Sequence, residues 1–178
     1  MELFELAKAE LLRSNAGPRH PFLFFNLATF GQYPEVRTVV KRHTGPDLSI
    51  LFFTDPRAPK VSQIRENPRV SALFYHPEKK LQVRMNGQAD IIAEGDNGYD
   101  QLLESVKNGG SLKDYSTRQP PGSIVTDVSD IEFIEELYFL AIRIQPLYID
   151  VLQLGRERHQ RRGYTLEERE WREAILVP

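Results

Sequence analysis

The sequence predicts a mainly β chain with peripheral helices (α+β): an antiparallel barrel of six to seven strands, closed or nearly so. Three observations predict it. Period-two apolar runs alternate with turn signals, the helical segments are few and short, and neither βα alternation nor a Gly-rich βα turn is present. The last point excludes a doubly wound parallel sheet. With 178 residues, 40% hydrophobic and 27% charged, the chain suits a single domain, 1–178, with a core of its own.

The elements follow in order. Leu3, Phe4, Ala7, Leu11 and Leu12 recur at helical spacing over 2–14, and Asn15-Ala16-Gly17-Pro18 ends that helix. Phe22 to Thr29 is strand-like, Gly31 to Pro34 a turn, and Val36 to Lys41 a second strand. In that strand Arg37, Val39 and Lys41 share one face. Leu48 to Thr54 completes a three-stranded meander. Val61, Ile64 and Arg65 mark a short helix that Asn67-Pro68 stops. Val70 to Tyr75 and Leu81 to Ile92 are strands. Gly87 inside the second marks a bulge or a close backbone approach. Asp96 to Val106 is a helix with Leu102 and Leu103 inward. Residues 107–123, with Gly109-Gly110 and Pro120-Pro121-Gly122, form the longest irregular stretch, and such loops are more often functional than not. Leu137 to Gln145 and Tyr148 to Leu154 are two strands split by Pro146, and Trp171 to Pro178 is a short terminal strand.

Composition narrows the function. There are no cysteines, so disulfides, thiolate metal sites and cysteine nucleophiles are excluded. A formal charge of -2 argues against a nucleic-acid binder. No apolar run approaches the ~20 residues of a membrane span. The acidic start Met1 to Glu5 lacks the basic region of a signal peptide, so a cytoplasmic protein without membrane contact is expected.

No catalytic triad, phosphate loop or zinc-like histidine pair is present. His43 and His76 follow a strand or sit in a turn, where solvated histidines are expected. The run Arg156 to Arg162 is either a solvated loop or an anion site. Arg37 is more telling: with Lys41 on its face and Lys60 opening the next helix, it outlines a phosphate site.

Several segments together resemble the FMN-binding split barrels related to pyridoxine/pyridoxamine 5'-phosphate oxidase. They are Asn26 to Thr29 with Pro34 to Val40, Leu51 to Asp55 with Pro59 to Ile64, Asn67 to Phe74, Leu81 to Ala89, and the closing segment 147–178. The resemblance implies a split barrel and a homodimer with FMN at the subunit interface. It implies phosphate contacts from Arg37 and Lys60, and ring contacts along Thr38, Val39 and Val40 and at Phe53 and Thr54. Gln82 matches an amide on the polar edge of the flavin, and Arg162 an arginine from the partner subunit. A further phosphate contact falls on Arg118 or Gln119, with Gln119 taken here. Leu152 stands where a flavin-side Trp is expected, and Pro59 where an Arg is expected.

The same resemblance assigns Arg42, Arg158 and His159 to a small-molecule substrate and names no catalytic side chain. Asp100, Glu104 and Asn108 occupy the places of a Tyr, an Arg and a Ser that hold a substrate phosphate. The implied function is an FMN-dependent oxidoreductase resembling pyridoxamine 5'-phosphate oxidase, with hydride transfer to FMN; the two acids argue against vitamin B6 phosphate and leave the substrate open. A carrier or sensor of FMN without turnover is the alternative. A third reading is a barrel binding single strands through the arginines of 156–162.

Overall fold

Alternation along the strands sets the architecture: one face of each is apolar and turns inward, so the sheet curls until its edges meet. The computed structural model describes residues 2–17, 19–109 and 112–178. Helix α1 (Glu2–Arg13) is followed by β1 (Phe24–Phe30), β2 (Pro34–Thr44), β3 (Ile50–Thr54), α2 (Pro59–Glu66), β4 (Arg69–His76) and β5 (Leu81–Ile92). Then come α3 (Tyr99–Asn108), β6 (Leu140–Gln153), β7 (Gln160–Glu167) and β8 (Glu170–Ile175). The strand order is β3-β2-β1-β4-β5-β6-β7-β8, and β3 pairs again with β6. Residues Leu140–Ile144 of β6 meet β3 and close a six-stranded antiparallel barrel. The second half of β6, Tyr148 to Gln153, carries β7, and β8 lies beyond it.

The barrel interior is aromatic and aliphatic. Phe25 lies 5.7 Å from Phe52 and 5.2 Å from Phe74, ring to ring. Leu81, Val83 and Met85 of β5 point the same way and are fully buried. Large side chains here contribute about 1.5–3 kcal/mol each on burial. Helix α1 lays Leu3, Ala7 and Leu11 on the barrel, and Phe4 packs 4.7 Å from Tyr164 of β7. A second cluster, Ile92, Tyr99, Val106, Tyr115, Phe139 and Ala141, forms under α3, with Leu102 and Leu103 against it. Among the described residues no helix is long and apolar enough to cross a membrane.

Several expectations are corrected. Pro21 to Leu23 is a 3-10 turn, and β1 begins at Phe24. β3 begins at Ile50, because Leu48 takes φ 65° and Asp47 accepts the Ser49 amide at 3.1 Å, which prolongs the turn. The two strands split by Pro146 are one strand. Pro146 cannot donate a hydrogen bond, but it sits at a register shift where Leu147 is the extra residue. Gly87 lies opposite, and a Cβ there would meet the Gln145 carbonyl oxygen at 2.1 Å, so the close approach expected at Gly87 is present. Strand β7 occupies the end of the basic run, which is therefore only partly loop. α3 starts at Tyr99, after a turn. The irregular segment runs on to Phe139, with a lone bridge between Thr117 and Phe133; Gly110 of its predicted core lies outside the described residues.

Two polar groups are not where they were expected: Lys41, read as part of the phosphate site, and His76, read as solvated. Lys41 faces into the barrel end, 2% exposed, and donates to Asn15 Oδ1 at 2.8 Å. Burial lowers its pKa to about 8. His76 is buried rather than solvated, while His43 is exposed.

Candidate functional site

β3 pairs with β2 only at Lys41, His43 and Thr44. The edge of β2 from Arg37 to Val40 therefore has β1 on one side and no strand on the other. The start of α2 and the segment 114–121 border that open edge. Between them is a cavity of about 260 Å³ lined by Arg37, Thr38, Val39, Val40, Arg42, Phe53, Thr54, Asp55, Lys60, Asp114, Tyr115 and Pro121. Residues that the resemblance gave to cofactor phosphate and ring thus converge on one concavity.

The cations differ in how they are held. The Arg37 guanidinium donates to Thr29 Oγ1 at 2.5 Å, to Glu35 Oε2 at 2.9 Å and to Gln63 Oε1 at 3.3 Å. This clamps it at the cavity rim. Lys60 Nζ donates to the Thr54 hydroxyl at 3.0 Å. Among the described residues no carboxylate forms an ion pair with Lys60 or with Arg42. Burial and then the Arg37 charge push the Lys60 pKa down, with Asp55 opposing. Arg42 Nη2 donates to the Tyr115 hydroxyl at 3.3 Å, and its Nε is buried with no partner among the described residues. Half-buried positive charge without a counter-ion is the donor set an external anion requires.

Arg57 was missed in the sequence. It does not replace the arginine lacking at Pro59, since it turns away to Asp55, at 2.7 Å, and donates to the carbonyls of Thr117 and Arg118 at 2.7 and 2.9 Å. Its guanidinium stacks 3.3 Å from the centre of the Tyr138 ring. It thereby fixes the segment that brings Tyr115 and Pro121 to the cavity. Gln119 and Arg118 do not line it. The Gln119 amide bridges Asp130 O and the Glu132 amide, and Arg118 pairs with Glu132.

The remaining predicted contacts lie elsewhere. Gln82 and Leu152 are register partners on the outer faces of β5 and β6. In a closed six-stranded ring β5 stands three strands from β2 in either direction, so Gln82 is across the barrel from the cavity. Arg162 pairs with Val151 and so points to the opposite sheet face from Leu152. Arg158, His159 and Arg162 line a separate concavity of about 570 Å³ with Ile175, Leu176 and Pro178.

Two further groupings stand out. A cavity of about 410 Å³ shares Arg42 and Phe53 with the first and adds His43, Leu51, Leu102, Ser105, Val106 and Gly109. Asp100, Glu104 and Asn108, expected to replace a phosphate pocket, are exposed and do not line it; Glu104 pairs with Lys107 at 2.9 Å. Glu10, His20 and His76 also gather within 4.8 Å, which their sequence spacing did not announce. The Nδ1 of each histidine accepts a backbone amide, Phe22 N at 3.0 Å and Lys79 N at 3.4 Å. That places the proton on Nε2, which faces Glu10 and is therefore a donor rather than a metal ligand. Lys79 and Arg13 bind the same carboxylate.

Residues 6–93 match the family model described as pyridoxamine 5'-phosphate oxidase, FMN-binding domain. Curated relatives include pyridoxine/pyridoxamine 5'-phosphate oxidases of Ehrlichia chaffeensis, 25% identical over 100% of this chain and 97% of that one, and of Ehrlichia ruminantium, 27% identical over 82% and 80%. Among solved structures, a pyridoxamine 5'-phosphate oxidase-related FMN-binding protein from Nostoc punctiforme superposes with a TM-score of 0.77 at 23% identity, covering 98% of this chain and 97% of that one. PhzG from Burkholderia lata, in complex with tetrahydrophenazine-1-carboxylic acid, superposes with a TM-score of 0.77 at 19% identity, covering 98% and 92%. These two establish the fold, which is the split barrel the sequence predicted. With a cation-lined cavity on the open β2 edge, the chain belongs to the FMN-binding split-barrel family related to pyridoxine/pyridoxamine 5'-phosphate oxidase, and its cofactor is FMN.

Proposed function

We propose that the protein is an FMN-dependent oxidoreductase that acts as a homodimer. The observation that carries this reading is the convergence of Arg37, Thr38, Val39, Val40, Phe53, Thr54 and Lys60 on a single cavity. Arg37 and Lys60 hold the FMN phosphate, and the unpaired β2 edge and Phe53 line the ring. When bound, FMN supplies the hydride-accepting centre, so the chain's own task is to bind, orient and exclude water.

The dimer has its own support. At about 260 Å³ the cavity is smaller than the roughly 300–1,000 Å³ usual for such ligands, so it lacks a wall. Gln82, Leu152 and Arg162 are out of its reach on the same chain and become available from a second copy. The outer surface of β1, β2 and β4 exposes Phe24, Val36 and Tyr75, an apolar face for that copy to cover. Arg158 and His159 then complete the substrate side, with Arg42 from the first subunit.

One observation favours a carrier or sensor instead: no α3 side chain lining the second cavity is cationic, so a phosphorylated substrate has only Arg42 there, with the exposed His43. Anaerobic mixing of the FMN-loaded protein with pyridoxamine phosphate, reduced nicotinamides and a panel of organic acids separates the two. Bleaching of the flavin band by any of them upholds the oxidoreductase. Retained FMN that none of them bleaches upholds the carrier. Sedimentation of the loaded protein as a monomer contradicts the dimer.

A further inference from the structure

We propose that the cavity between α3 and the β2–β3 edge takes a flat apolar acid bearing a single carboxylate, with the carboxylate on Arg42. The inference rests on the flavin reading in that Arg42 and Phe53 form the wall shared with the cofactor cavity, which makes the second cavity the substrate compartment.

Arg42 supplies the anion site. Among the described residues its Nε is buried without a partner, Nη2 is bonded to a phenol, and no carboxylate neutralises it. The edge formed by Nε and an Nη is the fork that fits a carboxylate with two parallel hydrogen bonds. The guanidinium lies 5.4 Å from the centre of the Phe53 ring, so an aromatic acid held by Arg42 also meets an aromatic wall.

The rest of the lining excludes a second charge. Leu51, Phe53, Leu102 and Val106 are apolar, and His43, which also lines the cavity, is exposed to solvent. Ser105 lines the cavity, but its hydroxyl already donates to the Leu102 carbonyl at 2.6 Å. The C-terminal turn of α3, with Ser105, Val106 and Gly109, borders the cavity, and the carbonyl end of a helix carries partial negative charge. A phosphate dianion would thus meet one arginine and a repelling helix end, while Arg37 and Lys60 stay on the cofactor side. A monoanion with an apolar body matches Arg42 and the apolar lining. The volume, about 410 Å³, accommodates one or two fused rings.

The test is calorimetric titration of 2-naphthoate and, separately, inorganic phosphate into the protein with and without FMN. Saturable binding of 2-naphthoate is expected in both; in the FMN-loaded protein, where the cofactor phosphate fills the Arg37 and Lys60 site, no heat is expected from phosphate at the same concentrations. Arg42→Gln is expected to weaken 2-naphthoate by about 10–100-fold, the loss of a charge-assisted pair. Leu102→Glu places a like charge in the cavity and is expected to remove 2-naphthoate binding while FMN is still retained; it serves if Arg42→Gln fails to fold. Tighter binding of phosphate than of 2-naphthoate by the FMN-loaded protein, or 2-naphthoate affinity unchanged in Arg42→Gln, overturns the inference. A protein that retains FMN and ignores 2-naphthoate overturns this inference alone. One that takes 2-naphthoate through Arg42 but never retains FMN overturns the flavin reading and upholds the acid site.

Discussion

The Glu10 carboxylate on α1 receives Arg13 at 2.7 Å, Lys79 and His20, with His76 3.6 Å away, whereas among the described residues the Lys60 ammonium on α2 donates only to the Thr54 hydroxyl. Both groups are charged and withdrawn from solvent. At Glu10 burial alone would raise the carboxyl pKa, but hydrogen bonds from Lys79 and His20 and the charges of Lys79 and Arg13 bring it below the ordinary value. At Lys60 burial and Arg37 both push the ammonium pKa down. In the first cluster the carboxylate is fully matched by cations and donors from its own chain, and it fastens α1 to the β4–β5 turn. The second is left short of negative charge, as an anion site must be before its ligand arrives.

Four changes break or sharpen this contrast. Lys60→Glu should have the largest effect: one attraction becomes a repulsion, and FMN affinity falls by at least about 100-fold in a fluorescence titration. Arg37→Ala should follow, with FMN affinity down about 10–100-fold; unchanged affinity would mean that the phosphate lies elsewhere. Glu10→Gln should do the reverse, costing about 1–3 kcal/mol of stability while leaving FMN affinity as it was. For a chain of this length that is a fall of roughly 2–12 °C in Tm.

The smallest effects are in pH. Because the Glu10 pKa is depressed in the folded protein, its stabilisation is complete above the ordinary glutamate range and is lost as pH falls through the lowered value. Glu10→Gln should therefore flatten the acid limb of a Tm-against-pH curve. Lys60 runs the other way: its pKa is low in the free protein and rises on phosphate binding, so FMN affinity should weaken as pH climbs through the free value. Lys60→Arg, which stays charged, should remove that alkaline decline.

Arg37 and Lys60 were legible in the sequence because a mid-strand arginine and a helix-opening lysine are local signals. The barrel class was legible from turn spacing and period-two runs. Burial was harder. Lys41 shares a face with Arg37 and Val39, which in the sequence adds it to the phosphate site, and only the packing of Val39 inside the barrel shows that this part of the face turns inward. His76 has the parity of Ala72 and Phe74, so a signal for its burial existed and the turn beside it masked it. β7 was not legible, since Gln160 to Glu167 has polar residues on both faces and becomes a strand by pairing with β6. Pro146 broke a strand in the sequence that Gly87, distant in the chain, keeps whole. The separation of Gln82 and Arg162 from the cavity follows from barrel closure, which no local pattern encodes.

The most direct test of the central claim is the visible absorption spectrum of the protein after saturation with FMN and removal of the unbound fraction, taken alongside Lys60→Glu. The account predicts flavin bands retained by the natural protein and absent from the variant. A colourless natural protein, or a variant that stays equally yellow, would contradict it.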